Sequence, residues 1–264
     1  MAAQTNSCLL RPVDPLMNPV AQSVMDWVNA GLAFVYPEVC QICQKERAGP
    51  QEAYICAHCR SLAKIIEAPF CERCGTPYEG AITTRVTECA NCCETPLHFR
   101  SARSAVVVRE GVREAILSYK YRRALWFEPY LAELLIGAAG PELAMEKWDW
   151  IVPVPLHPAK EREREFNQAE RLAQRLAAAT GIPLDNKLIR RTVPTPTQTK
   201  LNREERVANM KNAFSPNKGM ALQGARIVLV DDVFTTGATT SACAKVLKAS
   251  GAGDVCVWTV ARGI

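Results

Sequence analysis

Four apolar residues in a row, Ile227 to Val230, are followed at once by two acids and then by a small, hydroxyl-rich stretch. An unbroken apolar run of this length predicts a strand buried on both faces, as in a parallel sheet covered by helices. Thr235-Thr236-Gly237-Ala238-Thr239 then opens a helix that runs to about Ala249. The same reading gives a strand at Ala105–Val108, a helix at Gly111–Tyr121, a second helix at Trp126–Ala138 and a strand at Trp150–Pro153. A long charged helix follows over Glu161–Thr180, with a strand at Leu188–Thr192 and a Pro- and Thr-rich loop to Thr199. A helix at Asn202–Asn212 precedes the apolar run, and Asp254–Val260 closes the sheet. Strands alternating with helices predict an α/β fold with a mostly parallel sheet and flanking helices over residues 99–264.

The pattern changes before residue 99. Residues 1–21 are polar with interspersed prolines and predict a disordered N-terminus. Over residues 22–36, Val24, Trp27, Val28, Leu32 and Val35 recur at helical spacing, an amphipathic helix expected to pack on the larger domain. Its polar face lacks Lys and Arg, which argues against a membrane surface. Residues 37–98 have few apolar positions, with Gly49-Pro50 and Gly75-Thr76-Pro77 in the intervals, so something other than a core must hold them.

Cysteine supplies it. The chain has 264 residues and 12 cysteines, and four CxxC pairs fall within residues 37–98: Cys40 and Cys43, Cys56 and Cys59, Cys71 and Cys74, Cys89 and Cys92. A CxxC turn aims two sulfurs at a point about 2.3 Å away, and two such turns complete tetrahedral zinc. Eight thiolates therefore predict about two structural Zn²⁺ in a small zinc-ribbon module, with iron–sulfur ligation as the competing reading. Which pairs share an ion is left open by spacing, and Cys93 beside Cys92 leaves one ligand ambiguous. Cys8, Cys243 and Cys256 read as small apolar residues. The N-terminus carries Asp14 and Asp26 rather than a basic region before an apolar one, and no apolar run reaches membrane-spanning length. These features predict a soluble cytoplasmic protein in which cysteines bind metal rather than form disulfides.

The segment after the Ile227–Val230 strand carries the chemistry. Free N–H groups at a helix N-terminus and threonine hydroxyls can cage a phosphate, and acids at a strand end can hold ribose hydroxyls directly or through Mg²⁺. A plain capped helix would explain one hydroxyl, not two acids and three threonines around a glycine. The segment resembles the phosphoribosyl-pyrophosphate signature of type I phosphoribosyltransferases. Four cysteine knuckles, then Pro153-Val154-Pro155-Leu156-His157-Pro158, then Arg162-Glu163-Arg164-Glu165-Phe166-Asn167-Gln168, then Gln198 to Asn209, the acid–threonine segment and a closing Thr259-Val260-Ala261-Arg262 together resemble the ComF family over residues 25 to 262. Members of that family, ComFC- and GntX-like, pair a double zinc ribbon with a type I phosphoribosyltransferase-like domain.

The resemblance implies that Asp231 and Asp232 are the catalytic acids, binding ribose hydroxyls and Mg²⁺. It implies that Thr235, Thr236, Gly237, Ala238 and Thr239 bind phosphoribosyl pyrophosphate (PRPP) at its 5′-phosphate. Arg162 and Arg164 would face pyrophosphate, and Arg203 and Arg206 fall where the family has its mobile flap. The alternative for these four arginines is a solvated helix face paired with Glu161, Glu163, Glu204 and Glu205. Glu165 departs from the family's RERGFNQ, replacing a residue that allows tight backbone approach. His157, between prolines, reads as structural before substrate-adjacent.

Charge bears on partners. Residues 1–98 carry 7 basic and 10 acidic side chains, residues 99–264 carry 25 and 17. A nucleic-acid footprint would therefore lie on the α/β domain. Arg100, Arg103, Arg109, Arg113, Lys120, Arg122 and Arg123, with Tyr119 and Tyr121 interleaved, suit single-stranded DNA or, equally, the basic rim of a pyrophosphate site. Two functions follow: a PRPP-binding phosphoribosyltransferase-like protein linked by resemblance to DNA uptake and natural transformation, acceptor unknown; or a non-catalytic single-stranded-DNA-binding competence factor partnering the uptake machinery.

Overall fold

The computed structural model describes residues 38–78, 89–94, 96–193, 213–217 and 221–263. The disordered segment expected at 1–21, the helices expected at 22–36 and Asn202–Asn212, Cys8, Arg203 and Arg206 lie outside the described residues. Four strands form one sheet: β1 (Ser101–Val107), β2 (Trp150–Pro153), β5 (Arg226–Phe234) and β6 (Asp254–Arg262), in the order β1-β6-β5-β2. Every pairing in it is parallel, in register from Ser101 opposite Cys256 and from Trp150 opposite Ile227. The short strands β3 (Ile189–Arg191) and β4 (Phe214–Pro216) pair antiparallel as a separate ribbon.

The helices are α1 (Ala57–Ser61), α2 (Ala90–Glu94), α3 (Glu110–Tyr121), α4 (Glu128–Leu143), α5 (Pro158–Arg164), α6 (Gln168–Thr180) and α7 (Ala238–Ala249). Leu131 and Leu135 of α4 and Leu172 and Leu176 of α6 share one apolar cluster with Ile151, Val228, Val230 and Val260 of the sheet. The opposite strand faces, Val152, Ile227, Leu229, Val255 and Val257, cluster with Cys243, Ala244 and Leu247 of α7. Burial on both faces is why Ile227–Val230 reads as an unbroken apolar run, each such side chain contributing about 1.5–3 kcal/mol. Cys243 and Cys256 are buried apolar residues, as their isolation in sequence implied.

The long helix expected over Glu161–Thr180 is two helices. Glu165 takes the left-handed conformation (φ +68°), which ends α5, and Asn167 caps α6 by accepting from the Ala169 N–H at 3.1 Å. Charged periodicity continues across the break, so it left no trace in the pattern. Trp126 and Phe127 belong to a single turn of 3₁₀ helix, and the following helix starts at Glu128 with Pro129 in its first turn.

The cysteine-rich part packs against the sheet. Cys40, Ile55, Cys56 and Cys59 join the apolar cluster on the α4/α6 side, whereas Cys71, Cys74 and Cys89 join the one on the α7 side. It therefore straddles β1, the outer strand of the sheet. Backbone bonds fix it there: Val107 N–H to Lys64 O (2.9 Å), Ile66 N–H to Ala105 O (2.9 Å) and Ala102 N–H to Arg73 O (2.8 Å). Gly75 (φ +68°) lies so close to β1 that a Cβ would stand 2.6 Å from Ala102 O. Among the described residues no helix is long and apolar enough to cross a membrane.

Candidate functional site and metal centres

The eight paired cysteines gather as two groups, Cys40–Cys43–Cys56–Cys59 and Cys71–Cys74–Cys89–Cys92. Consecutive knuckles thus share a site, Cys92 is the ligand, and Cys93 is exposed. A tetrahedron with bonds of about 2.3 Å places its sulfurs about 3.8 Å apart. Here Cys43–Cys56 is 3.8 Å, Cys71–Cys92 3.7 Å, Cys89–Cys92 3.7 Å and Cys74–Cys89 3.3 Å, so both groups fit structural zinc.

The second site sits at the carboxyl ends of β2 and β5, the end of the strands where open α/β sheets take their ligands. β5 does not stop at Val230. Asp231 pairs with Thr259, Val233 with Ala261 and Phe234 with Arg262, so both acids lie on the strand rather than after it. The chain then turns through Thr235 and Thr236 to Gly237 (φ +83°), the residue preceding α7. A Cβ at 237 would meet the Phe234 ring at 2.5 Å, so this turn requires glycine for both its dihedral and its packing. Thr236 Oγ1 accepts from the Ala238 N–H at 3.3 Å, and Thr240 Oγ1 donates to Gly237 O at 3.1 Å.

A cleft of about 360 Å³ opens over this turn. Asp231, Asp232, Thr235 and Thr239 line it, as do Arg113, Lys120, Lys160, Arg164 and Arg191. Among the described residues five cations stand against two acids in its lining, a balance suited to an anionic ligand. Lys120 Nζ stands 2.6 Å from Asp232 Oδ2, an ion pair with both side chains mostly buried. Burial pushes Asp231 up to about 6, against the attraction of Lys120, Arg191 and Arg164. Burial pushes Lys120 down to about 8, with Asp231 opposing and Arg164 assisting. Burial also lowers Arg191 and Lys160 from their ordinary values.

The structure therefore gathers Asp231, Asp232, Thr235, Thr239 and Arg164 around one cleft, with Thr236, Gly237 and Ala238 forming its turn. Arg162 is exposed and is not among the residues that line the cleft. His157 accepts from the Ala159 N–H through Nδ1 at 3.2 Å and caps α5, a structural role. Lys160 and Arg191 are cleft residues that sequence reasoning missed. Lys160 is one helical turn before Arg164, a usable signal, whereas Arg191 sits in a three-residue strand with no pattern of its own.

The basic run divides. Arg113 and Lys120 line the cleft, while Arg100 pairs with Glu146 and Asp254, Arg103 with Glu72, Arg122 with Glu114 and Arg123 with Glu165.

Residues 31–94 match the double zinc ribbon domain family. Competence protein F of Haemophilus influenzae is 31% identical over 220 residues, spanning 78% of this chain and 96% of that protein. The chain belongs to the ComF family. The DNA utilization protein YhgH of Escherichia coli K12 is 30% identical over 229 residues, spanning 86% of this chain and 97% of that protein. Among solved structures, a purine phosphoribosyltransferase from Pyrococcus horikoshii aligns at 22% identity and TM-score 0.34, over 50% of this chain and 82% of that one.

This ComF chain also answers its own departure from the family pattern. Glu165 adopts the glycine-like dihedral and sends its carboxylate outward to Arg123 at 2.8 Å, leaving the turn intact. A left-handed non-glycine residue costs about 1–3 kcal/mol, and β-branching raises that cost. Glu165→Val is thus expected to lose about 2 kcal/mol relative to Glu165→Gly, read from urea midpoints at constant slope.

Proposed function

We propose that the cleft binds PRPP with Mg²⁺ and supports transfer of its phosphoribosyl group, in a protein serving DNA uptake and natural transformation. The observation that carries this is the acid pair and the Thr235–Thr239 turn facing one cleft with five cations around it. The 5′-phosphate would take the turn and the N–H groups of α7, and the ribose hydroxyls would take Asp231 and Asp232. Arg113, Lys120, Lys160, Arg164 and Arg191 would neutralise the pyrophosphate. In the transfer, the C1–O bond to pyrophosphate breaks with its electron pair leaving on pyrophosphate, and an acceptor lone pair takes its place. The centre is oxocarbenium-like, so the residues' work is positioning and charge neutralisation. Mg²⁺ carried in with the ligand would add positive charge at the leaving group.

The names of the relatives, competence and DNA utilization, point to a process that handles DNA, and with the basic α/β domain they support a second reading in which the chain binds single-stranded DNA. Titration calorimetry with PRPP and Mg²⁺, beside single-stranded DNA, separates the two. Arg113→Gln with Lys120→Gln is expected to weaken PRPP binding at least about tenfold and leave DNA binding in place, since each lost contact to a charged group is worth about 1.5–3 kcal/mol. DNA binding lost instead, with a flatter salt slope and PRPP unaffected, supports the second reading. No PRPP binding by the unaltered protein at millimolar ligand defeats the first.

A further inference from the structure

Arg262, the last residue of β6, is a buried cation only 3% exposed, and no carboxylate among the described residues pairs with it. Its Nη1 donates to Cys74 O at 2.7 Å, and its Nη2 reaches Cys74 Sγ at 3.5 Å and the Thr76 hydroxyl. Four thiolates around one Zn²⁺ carry a net charge of −2, so the counter-charge for this guanidinium is the second four-cysteine site itself. A buried charge needs such a partner, and hydrogen bonds to ligating sulfur tune a metal site from its outer shell.

The same guanidinium lies over the Phe234 ring, 4.7 Å from its centroid. Phe234 in turn presses on Gly237, where the Thr235–Thr239 turn enters α7. A second route runs alongside. Leu97 approaches the Cβ position of Gly237 at 3.2 Å, Ser241 Oγ donates to Pro96 O at 2.8 Å, and the His98 N–H donates to Ser241 Oγ at 3.1 Å. Arg73, inside the Cys71–Cys74 knuckle, holds Leu97 O at 2.5 Å.

We infer that Arg262 is a positioning residue that couples the second four-cysteine site to the Thr235–Thr239 turn, so that metal at Cys71, Cys74, Cys89 and Cys92 sets the shape of that turn. What the turn binds rests on the function proposed above; the coupling does not. Sulfur geometry fixes Cys74 O and Sγ, these fix the guanidinium, and the guanidinium fixes the ring that the glycine turn wraps. By linkage, a ligand that rigidifies the turn must raise the affinity of the second site for its metal by the factor by which that metal tightens the ligand.

The test uses full-length, zinc-loaded protein. Arg262→Met keeps the bulk and removes charge and donors. It is expected to raise amide exchange of residues 235–241 at least tenfold while exchange in α4 stays unchanged. One of two zincs should pass to a chelator at least tenfold faster, and Arg262→Lys should restore part of that retention by keeping the charge. Phe234→Leu leaves the bonds to Cys74 in place, so it should keep zinc at the normal rate and still raise exchange at 235–241. If Arg262→Met does not fold, Arg262→Gln is read in the same way. Unchanged exchange at 235–241 in either folded variant overturns the coupling, as does equal loss of both zincs in Arg262→Met. Failure of the unaltered protein to bind PRPP, with the exchange response present, removes the proposed function and leaves the coupling standing.

Discussion

Asp231→Asn is expected to cut Mg²⁺-dependent PRPP binding by about a hundredfold or more and, at the same time, to make the protein more stable at pH 7. The stability gain follows from the sign of the shift. Asp231 is raised to about 6, so its stabilising, protonated form is fully present below the unfolded value of about 3.9 and lost as pH rises through 6. At pH 7 the ionised group costs stability. A two-unit shift corresponds to nearly 3 kcal/mol at most, and water reaching this half-buried side chain brings the expected gain to about 1–2 kcal/mol. Asp232→Asn has the opposite sign. It strands Lys120, 2.6 Å from the lost carboxylate, and should cost about 1–3 kcal/mol, less than a fully buried pair because Asp231 remains nearby. Thermal unfolding of the two variants should therefore move in opposite directions while both lose ligand. PRPP binding by the unaltered protein should also fall as pH drops below about 6, where Asp231 takes up a proton. Two variants that destabilise alike would refute this account of the acids.

Removing zinc is expected to bring down the whole chain. Sequence alone predicts a module that unfolds by itself on chelation, sparing the α/β domain. Cluster membership supports the opposite expectation, because Cys40, Ile55 and Cys56 belong to the core under α4 and α6, and Cys71 and Cys74 to the core under α7. Structural zinc supplies about 10–16 kcal/mol of binding energy in small domains, which here is energy of the shared core. Chelation, or Cys71→Ser, should lower the melting temperature by more than about 10 °C in one transition, monitored through the buried Trp258 and Trp148. Elemental analysis should find two zincs per chain. A brown, iron-containing protein, or a first transition confined to the cysteine-rich part, would contradict this.

Much of the site was legible because its signals are local. The β5 run, the acids and the Thr-Gly turn are contiguous, and the four CxxC pairs declare metal by spacing alone. What was not legible depends on distance in sequence. Lys120 and Asp232 are over a hundred residues apart, and only the fold makes them partners. Arg191 faces the same cleft as Asp231, from a three-residue strand that pairs with Phe214–Pro216 far along the chain. The end of α5 at Glu165 escaped because glutamate rarely takes a left-handed conformation, so no glycine marked the stop. The joining of consecutive knuckles needed coordinates, since spacing permits interleaved sites equally well.

β1 is held on one side by β6 and on the other by Lys64, Ile66 and Arg73 of the cysteine-rich part. A bare outer strand is a template on which a second chain can add its own. Metal that holds the cysteine-rich part in place would therefore keep this edge covered as well. A chain synthesised where the metal is scarce would present a ready strand to its neighbours and be lost to association before it could be rescued. The amount of usable protein in a cell would then follow metal supply, even when synthesis is constant.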